Sequence, residues 1–379
     1  MKIRNGMLFT EAGTFAPLDI TFGETITALT PSDGTPVGAD EVDAAGKYVV
    51  PGFIDVHTHG AVNEDASDGS VDGLVKMSDW YARNGVTSWC PTTMTLKEET
   101  LIPAMHAIRD FTSVGARRVG IHLEGPFLCY AKRGAQAAEC LHKPDIDMFH
   151  RLNEASGGLV RLITVAPEED DDLRFIRAVS PVCTVSIGHT CADYDTAMAA
   201  YQAGASHATH LFNGMESLHH RKPNVIGAAF DSGATVELIC DGLHIHPSVI
   251  RMVHALYGRR LTLISDSLRC AGMPDGHYML GGQPIVMKNN KATLDDGTGT
   301  LAGSSISVLD AVRNVVRFGL PLEDALFSAT RTPARVIRME DRIGSLSVGK
   351  YADVLILDRD LNLEAVYIGG KKFKSVLTQ

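Results

Sequence analysis

A run of strand-forming apolar residues stops at two histidines one residue apart, in residues 51–60 (PGFIDVHTHG). Side chains at i and i+2 of an extended strand share a face, so His57 and His59 converge on one point if the strand runs through them. Asp55 has the same parity. Two imidazoles at this spacing are either the start of a metal site or a polar strand end, and ligands from distant parts of the chain must decide between the two.

Beyond Gly52 the sequence alternates apolar strands with amphipathic helices, the pattern of parallel β/α units. Eight strands are expected, at 53–57, 86–90, 119–124, 159–166, 182–188, 207–211, 236–241 and 261–266. Asp72 is placed to cap a helix over 73–84 with Gly85 as its stop, and Leu101, Met105, Ile108 and Phe111 form a stripe at helical spacing. Further helices fit 192–203, 307–318 and 322–329. Together these predict an α/β fold, a closed (β/α)8 TIM-type barrel; an open doubly wound sheet has the same local pattern, but no Gly-x-Gly-x-x-Gly follows the first strand.

The two ends of the chain differ from its middle. Residues 1–50 read as short strands and turns, with a hairpin signal at Arg4-Asn5-Gly6, and strands return at 353–357, 365–368 and 371–376 around Gly369-Gly370. This predicts a small β-sandwich domain built from residues 1–50 and 341–379, flanking a barrel catalytic domain of residues 51–340. The 34-residue connection 267–300 reads as a surface loop or a lid.

Charge and cysteine content narrow the function. Of 379 residues 45% are hydrophobic, and the net charge of −10 argues against sequence-independent binding to nucleic acid or to an anionic membrane. No apolar run reaches the ~18 residues of a membrane span, and the chain reads as cytoplasmic. The seven cysteines are an odd number without Cys-x-x-Cys spacing, so neither a disulfide framework nor a thiolate zinc cage is indicated. Cys129, flanked by lysine and glycine nearby, is expected at the surface.

In barrel enzymes the reacting groups sit where strands finish. His57 and His59 follow the first expected strand, Glu124 ends the third, His189 follows the fifth, His210 lies in the sixth and Asp266 ends the eighth. Singly, each has an ordinary explanation, as a cap or a satisfied core histidine. Together they are the ligand inventory of a mono- or binuclear divalent-metal site. Farther on, the Asn213-Gly214 turn and the basic cluster His219, His220, Arg221 and Lys222 suit a phosphate.

With these residues in view, the chain resembles the amidohydrolase superfamily and, within it, the N-acetylglucosamine-6-phosphate deacetylases. The matching stretches are 49–60 (VVPGFIDVHTHG), 120–127 (GIHLEGPF), 186–190 (SIGHT), 208–215 (ATHLFNGM), 241–244 (DGLH), 264–267 (ISDS), 301–304 (LAGS) and the returning β segment 344–358 (GSLSVGKYADVLILD). Many binuclear members bridge their metals with a carboxylated lysine ending the fourth strand. Residues 159–172 contain no lysine, which leaves Glu124 as the available bridging anion.

The resemblance implies metal-dependent hydrolysis of the acetamide of N-acetyl-D-glucosamine 6-phosphate, giving D-glucosamine 6-phosphate and acetate in amino-sugar metabolism. It implies one or two divalent ions (zinc, iron, manganese or cobalt), the first held by Glu124, His189 and His210 and a second by His57, His59 and Asp266. Asp266 would act as general base and acid, and His244 would bond the acetyl carbonyl. Asn213, Gly214 and Arg221 would bind the 6-phosphate, Arg221 reaching a neighbouring subunit's site in a homodimer. Ala135, Gln136, Leu301, Ala302 and Gly303 would contact the sugar. Gln136 stands where many relatives carry histidine, so the gluco and galacto epimers both remain open. The alternatives are an N-acetylgalactosamine-6-phosphate deacetylase, a cyclic-amide hydrolase such as a dihydroorotase, and a scaffold without catalysis.

Overall fold

The computed structural model describes residues 1–375. At its centre are eight strands: β1 (Phe53–Thr58), β2 (Val86–Thr93), β3 (Ile121–Glu124), β4 (Val160–Val165), β5 (Thr184–Ile187), β6 (His207–Ala208), β7 (Thr235–Ile239) and β8 (Leu261–Ile264). Consecutive strands pair in parallel from β1 to β8. The ring closes through backbone just past the strand ends, where the Asp266 N–H donates to the His57 carbonyl and the His59 N–H to the Ser267 carbonyl, both at 2.9 Å. The strands are buried on both faces, which is why they read as near-continuous apolar runs and not as alternating ones. All eight expected strands are present. The sixth is shorter than expected because the chain leaves the strand at His210, where φ is 24°.

Helices cover the outside of this barrel, and local chemistry sets their ends. The first, Val71–Arg83, is capped by Ser70, whose hydroxyl accepts the Gly73 N–H, and not by Asp72 as expected. Asp72 lies in the first turn, where its charge opposes the exposed N–H groups favourably. Ser307 and Asp310 make a reciprocal capping box that starts Val308–Arg317. The last helix runs Leu322–Val336, beyond the expected end at Ala329, because its later residues stay buried against β1 and β8. Among the described residues, no helix is long and apolar enough to cross a membrane.

Both chain ends contribute to one nine-stranded sheet, in which Tyr48–Pro51 pairs antiparallel with Val354–Leu357. The long strand Phe15–Phe22 pairs with Met7–Phe9 along its first part and with Lys2–Arg4 and Ile26–Pro31 along its second. It thereby joins into a single sheet the strands expected to form the layers of a sandwich. Its core of Ile3, Leu8, Ile20, Phe22, Val354 and Tyr367 is distinct from that of the barrel. The expected hairpin at Arg4-Asn5-Gly6 does not form: the strands on either side of it both pair with Phe15–Phe22, and Asn5 takes a φ of 61° to pass between them. Of the expected strand 371–376, Lys371–Lys372 is extended, and Val376 lies outside the described residues.

The connection 267–300 is neither a plain loop nor unstructured. It folds into a three-stranded antiparallel sheet, Gly276–Leu280, Gln283–Lys288 and Lys291–Leu294, around a small core that includes Met94, Leu268, Ile285 and Ala302. Cys129 is buried, correcting the expected exposure, with its Sγ 3.5 Å from that of Cys191.

Candidate metal centre

The six ligand candidates meet at the C-terminal end of the barrel, all buried, with Glu124 in the middle. Its Oε1 lies 3.2 Å from His57 Nε2, 3.2 Å from His189 Nε2 and 2.9 Å from His210 Nε2, and its Oε2 lies 3.1 Å from His59 Nε2. Asp266 Oδ1 stands 3.6 Å from His57 Nε2 and 3.4 Å from His59 Nε2. Two sets of donors result, Glu124 with His189 and His210, and Asp266 with His57 and His59. Three of these residues sit in the sparsely populated left-handed region just past a strand end: His189 (φ 49°), His210 (φ 24°) and Asp266 (φ 46°). That backbone turn is what aims a side chain leaving the strand across the barrel mouth, and the surrounding packing must hold it there.

The hydrogen bonds on the far side of each ring assign the tautomers. Nδ1 of His57 faces Glu237 Oε2 at 2.9 Å, that of His59 the Thr92 carbonyl at 3.2 Å, that of His189 the Lys132 carbonyl at 2.8 Å, and that of His210 the Asn213 carbonyl at 3.1 Å. Carbonyl and ionised carboxylate oxygens only accept, so each Nδ1 carries a hydrogen and each neutral ring turns an Nε2 lone pair inward. His189 and His210 bring theirs within 3.0 Å of each other. His57 Nε2 is buried without a hydrogen-bond partner. Four inward lone pairs around two carboxylates repel one another unless a cation sits among them, so these residues fit a divalent metal.

Protons compete for the same lone pairs. Burial pushes the His59 imidazole down, but the Asp266 and Glu124 carboxylates more than reverse this and carry it up to about 9. His57 and His189 are raised for the same reason. Burial alone would raise the Glu124 and Asp266 carboxyls, yet the neighbouring histidines, His57 foremost, hold both below the usual range. A metal ion needs the unprotonated Nε2, so raising the pH removes its competitor and strengthens binding until the highest of these groups has titrated. The apparent zinc affinity, measured against a chelator, is therefore expected to rise from neutrality to about pH 9, with protons released on binding. An affinity that does not change over that window would exclude these imidazoles as the ligands.

Two supporting carboxylates escaped the sequence reading. Glu237, fully buried in β7, accepts the His57 Nδ1–H and the His210 backbone N–H (3.1 Å) on Oε2, while its Oε1 lies 3.1 Å from His207 Nε2. Its signal was a lone charge inside an apolar strand. Asp241 faces His244 Nδ1 at 2.7 Å and also accepts the backbone N–H groups of Leu243 and His244. Asp55, despite its parity with the histidines, sits apart from both donor sets: it accepts the Ser265 hydroxyl and the His57 N–H, and burial pushes its carboxyl up to about 7.

Above the donors opens a cavity of about 270 Å³. Ala135, Asn213, Gly214, His244, Leu301, Ala302 and Gly303 line it, as their expected contact with substrate requires. Two of these positions demand glycine. At Gly214 (φ 60°) a Cβ would stand 2.9 Å from His189 Nδ1, and at Gly303 (φ 83°) it would stand 2.9 Å from the Asp266 carbonyl. The Asn213 N–H, expected to face a phosphate, instead donates to the His210 carbonyl at 2.9 Å. Gln136 borders the cavity, but its amide turns away from the open space toward Glu124. Arg221 does not line the cavity. It is exposed on the His219–Lys222 turn, beside His220, and among the described residues no lysine or arginine lines the cavity at all.

Residues 48–373 match the Amidohydrolase family. The chain is 36% identical over 351 residues to the N-acetylglucosamine-6-phosphate deacetylase of Bacillus subtilis (strain 168), covering 90% of this chain and 88% of that one. It is 35% identical over 376 residues to the N-acetylgalactosamine-6-phosphate deacetylase of Escherichia coli O157:H7, covering 97% and 98%. Among solved structures, it superposes on a mutant N-acetyl-D-glucosamine-6-phosphate deacetylase from Mycobacterium smegmatis in complex with N-acetyl-D-glucosamine-6-phosphate. The TM-score there is 0.91 at 32% identity, covering 98% of this chain and 99% of the other.

Proposed function

Because the chain belongs to the amidohydrolase family, we propose that it removes the acetyl group of N-acetyl-D-glucosamine 6-phosphate, giving D-glucosamine 6-phosphate and acetate. The observation that carries this is the set of four inward Nε2 lone pairs around Glu124, at the floor of a cavity large enough for a sugar. On this reading residues 51–340 carry catalysis and the two chain ends form a supporting β domain. Glu124, His189 and His210 hold the principal metal, and His57, His59 and Asp266 a second; zinc, iron, manganese and cobalt all accept such ligands. When bound, the metal supplies Lewis acidity and lowers the pKa of water toward ~7.

The remaining steps fall to the chain's own residues. Asp266, held ionised by the adjacent histidines, takes the proton of the attacking water and passes it to the departing amine. His244 donates its Nδ1–H to Asp241, which orients its ring for the bond to the acetyl oxygen. Among the described residues no lysine or arginine lines the cavity, which supports a phosphate-binding cation from outside the protomer, and we assign it to Arg221 of a second copy in a homodimer.

Arg221→Ala is accordingly expected to raise KM for the phosphorylated sugar tenfold or more with kcat within about threefold. At substrate well below the KM of Arg221→Ala, mixing Arg221→Ala chains with Asp266→Asn chains should raise activity above the sum of the two variants alone, because a hybrid dimer contains one intact site. Activity no greater than that sum, in a sample shown to exchange subunits, would return Arg221 to its own protomer or remove it from the site. The activity itself is tested by acetate release from N-acetylglucosamine and N-acetylgalactosamine, each with and without a 6-phosphate. The highest kcat/KM is expected for N-acetylglucosamine 6-phosphate, and no release from any of the four would overturn the assignment.

A second reading, the galacto epimer, rests on the match to the E. coli O157:H7 protein, which covers 97% of this chain and 98% of that one. A higher kcat/KM for the galacto substrate in the same panel selects it.

A further inference from the structure

Gln136 stands on the sugar side of the metal centre, yet both ends of its amide are bonded to protein. The Thr95 N–H donates to Gln136 Oε1 at 2.7 Å, and Gln136 Nε2 donates to Glu124 Oε2 at 2.6 Å. The first bond decides the second: an N–H can only donate, so the amide oxygen must face Thr95 and the amide N–H must face the carboxylate. The side chain is 3% exposed, and its backbone N–H is itself tied to the Arg133 carbonyl at 3.0 Å. Thr95 holds the other side of the same assembly, its hydroxyl donating to the Glu124 carbonyl oxygen at 3.3 Å.

We propose that Gln136 is a positioning residue for Glu124 and not a sugar-binding residue. A carboxylate between two donor sets can rotate about its last bond and exchange its oxygens. The bond from Gln136, short and charge-assisted, fixes that rotation. It leaves Oε1 for His57, His189 and His210 and Oε2 on the side of His59, so one carboxylate serves both sets with each oxygen assigned. The substrate then meets the edge of a side chain already committed, and the epimer preference has to come from other residues of the cavity wall.

This inference rests on the deacetylase reading only for its kinetic arm. The test is the zinc affinity of the wild-type protein, Gln136→Leu and Gln136→Ala, by chelator competition, together with kcat and KM at saturating zinc. The thermal melting of each metal-free protein serves as the folding control, and the two variants differ enough in volume that one substitutes for the other if it does not fold. Hydrogen-bond partners of metal ligands typically contribute about 10- to 100-fold to metal affinity. Zinc binding is expected to weaken by that factor in the folded variants, with kcat reduced and KM within about twofold of the wild type. Unchanged zinc affinity overturns the proposal whatever happens to KM, and unchanged affinity with a tenfold rise in KM returns Gln136 to the sugar. A wild-type protein with no deacetylase activity leaves the zinc measurement intact, so the two ideas fail separately.

Discussion

Asp266→Asn is expected to lower kcat by about 10² to 10⁴-fold, the usual contribution of a positioned acid and base, with KM little changed. The substitution keeps the size of the side chain and its place at the end of β8, where the backbone is fixed by the bonds to His57 and from Ser304. It removes the group that can carry a proton. Because Asp266 Oδ1 also approaches His57 and His59, the variant should lose metal from that set while Glu124, His189 and His210 keep theirs. Metal content by elemental analysis and single-turnover acetate release together separate the two roles. Near-normal turnover with one metal retained would reduce Asp266 to a ligand and leave the proton transfer to another group.

The larger effect is expected at Glu124. Glu124→Gln replaces the one anion that touches all four imidazoles by a neutral amide of the same shape, which brings no charge to a cation and whose N–H groups can occupy the lone pairs a metal needs. Both donor sets should empty, to below about a tenth of an equivalent of metal per chain, and activity should fall ~10³-fold or more, since the hydrolytic water loses its activation. The paired change His57→Asn with His59→Asn provides the contrast. It removes one donor set and should take the stoichiometry from two metals toward one, with activity lowered but measurable. If the principal metal leaves with those two histidines as well, the division between the two sets is wrong. If Glu124→Gln keeps a full equivalent, Glu124 is not the shared ligand.

The barrel and its ligand inventory were legible because both follow from one-dimensional patterns. Buried parallel strands read as apolar runs, and a histidine or carboxylate where such a run stops is conspicuous. What the pattern could not convey was aim. The resemblance implies a sugar contact at Gln136, but which way its amide points depends on Thr95, 41 residues earlier in the chain. Glu237 hid inside an apolar strand, where its partners, His57 and His207, come from elsewhere in the chain. Ser70 and not Asp72 caps the first helix, because the position of the first helical turn, which local composition does not set, decides which side chain meets the Gly73 N–H. The Arg4-Asn5-Gly6 turn was misjudged because a hairpin signal is local, whereas here a strand from Phe15–Phe22 takes the pairing on both sides.

The place where β1 meets β8 has a consequence for how the protein comes into being. The bonds that close the ring, Asp266 to His57 and His59 to Ser267, join residues at opposite ends of the barrel sequence and involve the ligands themselves. Contacts so distant along the chain are among the slowest to form, because the intervening segment must already be ordered. A nascent chain that has emerged as far as β7 carries five of the six ligands but lacks the seam that sets two of them in place. The donor set of His57, His59 and Asp266 therefore assembles only when the last strand has closed on the first, so a partly made or misfolded barrel can bring together at most the set of Glu124, His189 and His210.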